Sequence, residues 1–471
     1  MKNNVKELYP ITRIEGSMKV SIALNDDGNV ENAHANVLEF RGFESFLKGR
    51  HISKAPTLVT RICGVCPVPH HLVSLKAIEN GLGIEPSDTI KYLREIMLAS
   101  EHVSDHLLHM FFLAGPDILL PDLPPEKRGL ITVYEKYPKV VKDVFSIRET
   151  TQSIISALGI QAVHPLTVIP GCITKTFTRT EGRNMLQGIK EGKKKLLSFH
   201  DDVLLPQIEK SIKEYEGLGR LNSNFVGLVK GNDIEIYDGL LRVVDPNGEK
   251  LAEFKPEKSF DYISERVVDY TYAKSAYLKK TETKNGMYRT GPIGRVNVAK
   301  SASTEYANKY LKEFKSLFGD VAQETLALNY ARYISTVYAI ERVEALMEEK
   351  ELLVNEPVKP VDYKEGEGIS VIEAPRGVLL HHYKWNKDGY ITSANIITPT
   401  NGNSYAIDSS LKGVAERSIK EGKIDENQLE NDIGMTIRAY DPCLSCATHT
   451  SGDQFIIEIT DARGKTIQIN K

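Results

Sequence analysis

The sequence predicts a mainly α fold with β elements (α+β), arranged as a central antiparallel bundle of long helices with peripheral hairpins, and three observations carry that prediction. Helical periodicity extends over 87–113, 181–218 and 304–352. Short alternating runs bounded by turn residues lie outside those stretches. Two Cys-x-x-Cys pairs stand near opposite ends of the chain, and a shared metal site would draw those ends into one core.

Residues 19–24 and 30–37, separated by Asn25-Asp26-Asp27-Gly28, read as a hairpin. After the first cysteine pair, a helix is predicted over 71–80, ending at Gly81, and a long one from Ser87 to about 113. In the latter, Leu93, Ile96, Met97, Val103, Leu107 and Met110 recur at three- and four-residue steps. Glu101, Asp105 and His109 form a polar stripe on one face, either solvated or a buried network bordering a metal. The stretches 181–218 and 304–352, the second broken at Gly319, supply the rest of the bundle, an architecture in which side chains of facing helices converge on a metal. Between them, 231–294 reads as a mixed insert with β character, and strands are predicted over 369–374, 378–382 and 390–397.

Composition is that of an ordinary globular chain: 471 residues, 41% hydrophobic, 26% charged, net charge -3. The near-neutral balance gives no footprint for nucleic acid, and the Lys193-Lys194-Lys195 run sits in a mixed-charge helical stretch. No apolar run approaches the ~20 residues that span a bilayer, so no membrane span is expected, and no secretory signal opens the chain, which does not by itself settle its location. Length alone suggests about three domains. Because the cysteine pairs must meet, the expected organisation is instead one interlocked unit over 1–449, with a tail at 450–471.

The pairs are Cys63 and Cys66 in R-I-C-G-V-C-P-V-P-H, and Cys443 and Cys446 in D-P-C-L-S-C-A-T-H. Four thiolates suit nickel, iron or zinc rather than magnesium or calcium. A structural zinc site is the plain alternative, although ribbon pairs are usually separated by about 15–20 residues, whereas nearly the whole chain intervenes here. Five cysteines are too few and too odd in number for a disulfide framework, and Cys172 reads as a buried apolar residue.

Several further motifs fall in with these pairs: Arg13-Ile14-Glu15-Gly16, Phe40-Arg41-Gly42-Phe43-Glu44, Tyr288-Arg289-Thr290-Gly291-Pro292, Glu373-Ala374-Pro375-Arg376-Gly377 and Asp441-Pro442. Together with the long helix bearing Asp105, they resemble the large subunit of nickel-iron hydrogenases, from the first twenty residues to His449. The resemblance implies that Cys63 and Cys443 are terminal nickel ligands, while Cys66 and Cys446 bridge nickel to an iron carrying carbon monoxide and two cyanides. It implies reversible heterolysis of dihydrogen, with a nearby base taking the proton.

Two candidate bases follow from the resemblance. Arg376, next to Pro375, matches an arginine that hangs over the centre, flanked by Asp105 and Asp441; a base role would require those carboxylates to perturb it strongly, since guanidinium is a poor base. Its plain alternative is a surface ion pair. Glu15 matches a glutamate that passes the proton from Cys446 outward, the alternative being a cap or surface carboxylate. Thr400 falls where the family hydrogen-bonds a cyanide, and His70 reads as a neighbour of a sulfur rather than a ligand. Glu44, His449 and the carbonyl of Ile396 match a magnesium site, a choice consistent with oxygen donors and retained water.

The chain departs from many relatives at Ser17, where they carry histidine, and after Pro399, where they carry tryptophan. Relatives are usually trimmed after the histidine matching His449; here a tail follows that reads as a hairpin over 455–459 and 466–469. Four committed cysteines leave none for an iron-sulfur cluster, so a small subunit with such clusters is expected as partner. The general pattern is most like the methyl-viologen-reducing, deazaflavin-non-reducing branch of methanogens, which implies a cytoplasmic location and heterodisulfide reductase further on, reached through an electron-transfer iron-sulfur subunit. The alternatives are a deazaflavin- or NAD(P)-reducing type, a nickel-free quinone-site subunit, whose relatives lack the cysteine pairs, and a zinc-stabilised interaction protein.

Overall fold

The computed structural model of the chain describes residues 5–349, 357–420, 423–448, 456–460 and 466–470. The predicted hairpin belongs to a three-stranded antiparallel sheet of β1 (Val5–Leu8), β2 (Met18–Leu24) and β3 (Val30–Val37), with β2 central. Its turn is held by the Asn25 side chain, which accepts from the N–H groups of Asp27 and Asn29.

Helix α1 (Pro67–Leu82) begins earlier and runs further than predicted. Proline is tolerated in a first turn, where its missing N–H would have no partner. The stop is not Gly81 but Gly83, in the left-handed region at φ 69°. Gly81 instead lets the helix approach a strand: a Cβ there would lie 2.3 Å from the Trp385 ring.

Helix α2 (Asp88–Leu108) starts where predicted, its first turn capped by the Ser87 hydroxyl accepting from Ile90 N–H, and it passes into a π turn at His109–Leu113. Its apolar positions Leu93, Ile96, Met97, Val103 and Leu107 are fully buried, at about 1.5–3 kcal/mol each. The polar stripe is buried too, with Glu101, Asp105 and His109 at 5%, 3% and 1% exposure, which decides between its two readings.

Helix α3 (Pro138–Gly159) has no counterpart among the predicted elements. Helix α4 (Arg179–Phe199) opens on a reciprocal cap between Thr178 and Glu181 and continues through a π turn at His200–Leu204. Beyond it, β4 (Asn224–Lys230), β5 (Leu240–Val244) and β6 (Lys250–Phe254) form an antiparallel run in a five-stranded sheet. Of the alternating stretch 234–237, only Ile234 is strand, in the short element Asp233–Ile234. Helices α5 (Glu305–Phe318) and α6 (Ala327–Glu349) follow, separated at Gly319 as predicted. The bundle is a closed ring of contacts: α6 packs on α2, α2 on α3, α3 on α4, and α4 on α6.

The late strands β7 (Gly366–Ala374), β8 (Gly377–Trp385) and β9 (Ile391–Ile397) form an antiparallel meander, and α1 packs against β7 and β8. Helices α7 (Pro399–Ser418) and α8 (Glu426–Tyr440) complete the core. In the tail, β10 (Ile456–Thr460) and β11 (Thr466–Asn470) pair antiparallel, as predicted. Among the described residues, no helix is long and apolar enough to cross a membrane.

Candidate metal centre

Each cysteine pair has one local shape. Cys63 is extended and Cys66 immediately precedes the first turn of α1; Cys443 is extended and Cys446 lies in the helical turn Leu444–Ala447. Helix α8 leads into the second pair through Asp441, whose left-handed φ of 56° turns the chain inward. The amino terminus locks against this loop: Glu15 bridges to Cys443, and its carbonyl accepts from Leu444 N–H at 3.1 Å. Gly16, at φ 88°, makes the approach possible, because a Cβ there would lie 2.7 Å from Leu444 Cβ.

The four sulfurs converge. All lie within 4.8 Å of one another, buried, with Cys63–Cys443 at 3.4 Å, Cys66–Cys446 at 3.5 Å and Cys443–Cys446 at 2.9 Å. None of these is a disulfide, since that bond is about 2.05 Å long, and all five cysteines are free. Burial pushes the Cys443 thiol well up and Cys446 up to about 12. Such clustered thiols ionise together only with a cation among them, so this soft, closed donor set fits a transition-metal centre.

Over the cluster lies Arg376. Its Nη1 donates to Asp105 at 2.7 Å, its Nη2 to the Asp441 carboxylate at 2.9 Å and its Nε to the Asp441 carbonyl at 3.0 Å. Burial opposes its charge, but Asp105 and Asp441, then Cys443 and Cys66, outweigh that and hold the guanidinium protonated. The neighbouring carboxylates therefore perturb it in the direction opposite to a free base. Burial pushes Asp105 up to about 6 against the pull of Arg376, while Asp441, which burial alone would raise, is held below the usual carboxylate range by Arg376, His109 and Arg332. Burial, then Asp105, pushes Glu101 well up, which favours its neutral form.

The backbone under Arg376 is pinned by Arg295, buried against Glu373 at 2.9 Å and donating to the carbonyls of Ala374 and Pro375. Gly291 and Gly377 let the two motif loops touch: a Cβ on Gly291 would lie 2.4 Å from the Arg376 carbonyl oxygen.

Glu15 is half-buried, its Oε2 accepting from Ser445 N–H at 3.0 Å and its Oε1 from the Ser445 hydroxyl. Thr400 Oγ1 accepts from Cys443 N–H at 3.0 Å, leaving its own O–H to donate. His70 is buried with its Nδ1 3.2 Å from His381 Nε2, and burial pushes its pKa down to about 4, so the ring is neutral.

Glu44 lies apart from the sulfurs. Its Oε1 accepts from Ile396 N–H at 2.8 Å, and its Oε2 is 2.9 Å from Lys274 Nζ, which is also 3.8 Å from Glu265. Burial pulls Lys274 down, but Glu265 and Glu44 outweigh it and keep the ammonium charged. A magnesium ion on Glu44 would share the carboxylate with Lys274. His449 lies outside the described residues.

Sequence reasoning missed Ser445, Arg295, Arg332 and Lys274. Ser445 was inside the quoted motif, and Glu373 was a signal that a buried cation must lie nearby; Lys274 and Arg332 stand in no motif.

This geometry agrees with what similarity to known proteins shows. A family model described as nickel-dependent hydrogenase matches residues 41–119 and 242–449, and one described as HoxL-like matches 7–40. The chain is 36% identical, over 98% of both sequences, to one chain of the F420-non-reducing hydrogenase of Methanothermobacter marburgensis. It is 34% identical, over 97% of both, to the beta chain of the NAD-reducing hydrogenase HoxS of Cupriavidus necator. A solved NAD+-reducing [NiFe]-hydrogenase in the H2-reduced state superposes with a TM-score of 0.89 at 32% identity, covering 94% of this chain and 99% of that one. The chain belongs to the nickel-dependent hydrogenase family, oxidoreductases acting on dihydrogen, and has the fold of the nickel-iron large subunit.

Proposed function

We propose that this chain is the catalytic subunit of a nickel-iron hydrogenase that cleaves dihydrogen reversibly and heterolytically. The observation carrying this reading is the convergence of Cys63, Cys66, Cys443 and Cys446 beneath a protonated arginine. Cys63, Cys66, Cys443 and Cys446 would together hold a nickel-iron centre whose iron carries carbon monoxide and two cyanides. When bound, the centre polarises dihydrogen and takes up its two electrons.

The protein's own groups divide the remaining work. Arg376 presents a fixed positive charge toward the site, oriented by Asp105 and Asp441, and polarises substrate without giving up its proton. Glu15 takes the proton from the Cys446 sulfur and moves it outward, its carboxylate steadied by Ser445. The Thr400 hydroxyl can donate to a diatomic ligand of iron, and His70 lends a neutral ring near the sulfurs. Glu44, the Ile396 carbonyl and His449 are assigned to magnesium, with Lys274 beside them.

Electrons leave through a small iron-sulfur subunit, since among the described residues Cys172 has no second cysteine beside it. Similarity to methanogen F420-non-reducing hydrogenases supports a cytoplasmic complex passing electrons through an iron-sulfur subunit to heterodisulfide reductase. A second reading, an NAD(P)-reducing complex, is supported by the likeness to the NAD-reducing enzymes; the subunits that co-purify distinguish the two.

Metal analysis and infrared spectroscopy of the native complex should give nickel, iron and carbon monoxide and cyanide bands; zinc alone would overturn the proposal. In the Glu15→Gln complex, dye reduction and exchange with D2O should fall about 1,000-fold with metal content intact, while para-hydrogen conversion, which needs only cleavage and recombination within the site, continues. Full hydrogen uptake by this variant would exclude Glu15 as the proton route.

A further inference from the structure

Asp117 lies outside every motif, yet it joins the two segments that must stay in register for Glu15 to meet the second cysteine pair. It sits in the short helix Gly115–Leu119 that follows the π turn ending α2, and it is 3% exposed. Its two oxygens are divided between two arginines: Oδ1 accepts from Arg13 Nη2 and Oδ2 from Arg438 Nε, both at 2.6 Å.

Each arginine is anchored a second time. Arg13 Nη1 donates to the Leu113 carbonyl at 2.7 Å, and Arg438 Nη1 to the Thr12 carbonyl at 3.3 Å. The Arg438 carbonyl accepts from the His109 ring at 2.6 Å. Arg13 is two residues before Glu15, and Arg438 leads through Asp441 into Cys443. One carboxylate therefore ties the amino-terminal segment to the end of α8, and without it two guanidinium groups would face each other close to the protein interior.

The segment needs this tie. Arg13 has φ 60°, a left-handed conformation that a non-glycine residue keeps only when its surroundings hold it. Residues 7–13 run along a groove of about 970 Å³, opposite Pro124, Pro125 and α8, so packing does not cover that side. Hydrogen bonds must set the register there.

We propose that Asp117 is a positioning residue that keeps Glu15 aligned with Ser445 and the Cys443–Cys446 loop. The inference rests on the reading of Glu15 as the proton acceptor. Charge-assisted hydrogen bonds on both oxygens make the alignment stiff, and a displacement of about 1 Å in a proton-transfer geometry costs about 100-fold in rate.

Asp117→Asn and, as a variant that breaks only the half-buried arm, Arg13→Gln are compared with Glu15→Gln in the metal-loaded complex. Amide exchange of residues 11–17, followed by mass spectrometry, should accelerate about 10-fold or more in both clamp variants. The ratio of D2O exchange to para-hydrogen conversion should fall about 10- to 100-fold, with metal content unchanged, and Asp117→Asn should add nothing in the Glu15→Gln background. Unchanged amide exchange, or a parallel loss of both hydrogen reactions, overturns the positioning role. If Glu15→Gln exchanges normally while residues 11–17 loosen in the clamp variants, it is the proton-route reading that fails, and the Asp117 tie stands as an anchor of the segment.

Discussion

Around the four sulfurs, Arg376 is 4% exposed and each of its three nitrogens donates to Asp105 or Asp441, whereas Glu15 is half-buried and held by one serine and a backbone bridge. The first fixes a charge where solvent cannot screen it. The second, on the proposed reading of Glu15, leaves the proton carrier nearer to solvent. Catalysis of heterolysis needs both, since a preorganised charge must not move while the proton must.

The largest break in this contrast comes from Arg376→Lys. An ammonium group cannot fork between Asp105 and Asp441, so hydrogen-dependent dye reduction should drop about 1,000-fold while nickel and iron content stay at wild-type levels. Retention of full turnover would remove the fixed charge from the mechanism.

Behind the first cysteine pair, α1 tests how dry that side is. His71 donates to the Pro56 carbonyl at 2.8 Å, and burial pushes its pKa from 6.5 down to about 4. Below pH 6.5 the unfolded chain takes up a proton that the folded chain refuses, so this contribution is complete above pH 6.5 and is lost as pH falls to about 4. The loss amounts to about 3 kcal/mol. Urea midpoints measured across that window should slope downward toward acid, and the slope should flatten in His71→Gln.

The smallest effect belongs to the open side. Ser445→Ala removes one hydroxyl bond to Glu15 but leaves the Ser445 N–H in place, so D2O exchange should slow only about 5-fold, as expected for one hydrogen bond of about 1 kcal/mol. A loss as great as that of Glu15→Gln would mean that the hydroxyl itself carries the proton.

Much of this was legible in the amino-acid order. The cysteine pairs point to a metal directly, Arg13-Ile14-Glu15-Gly16 and Glu373 to Gly377 carry the family resemblance, and the periodicity of α2 and α6 marks the bundle. What escaped was decided by tertiary contact. Helix α7 opens on Pro399-Thr400-Asn401-Gly402-Asn403, which by propensity is a loop; it is helical because Thr398 and Asn401 cap it and Gly402 packs where a Cβ would lie 2.8 Å from the Tyr288 hydroxyl. Gly81 misled for the same reason, as a packing glycine in the place of a stop. Lys274 and Arg332 could not be found, because a cation's partner is set by the fold and not by its neighbours in sequence.

Cys63 and Cys443 lie 380 residues apart and meet at 3.4 Å. At about 5–20 residues per second, the ribosome needs roughly 20–80 s to travel between them. Throughout that interval the first pair of thiols exists without its counterpart, so the four-sulfur cage can close only after the second pair has been made.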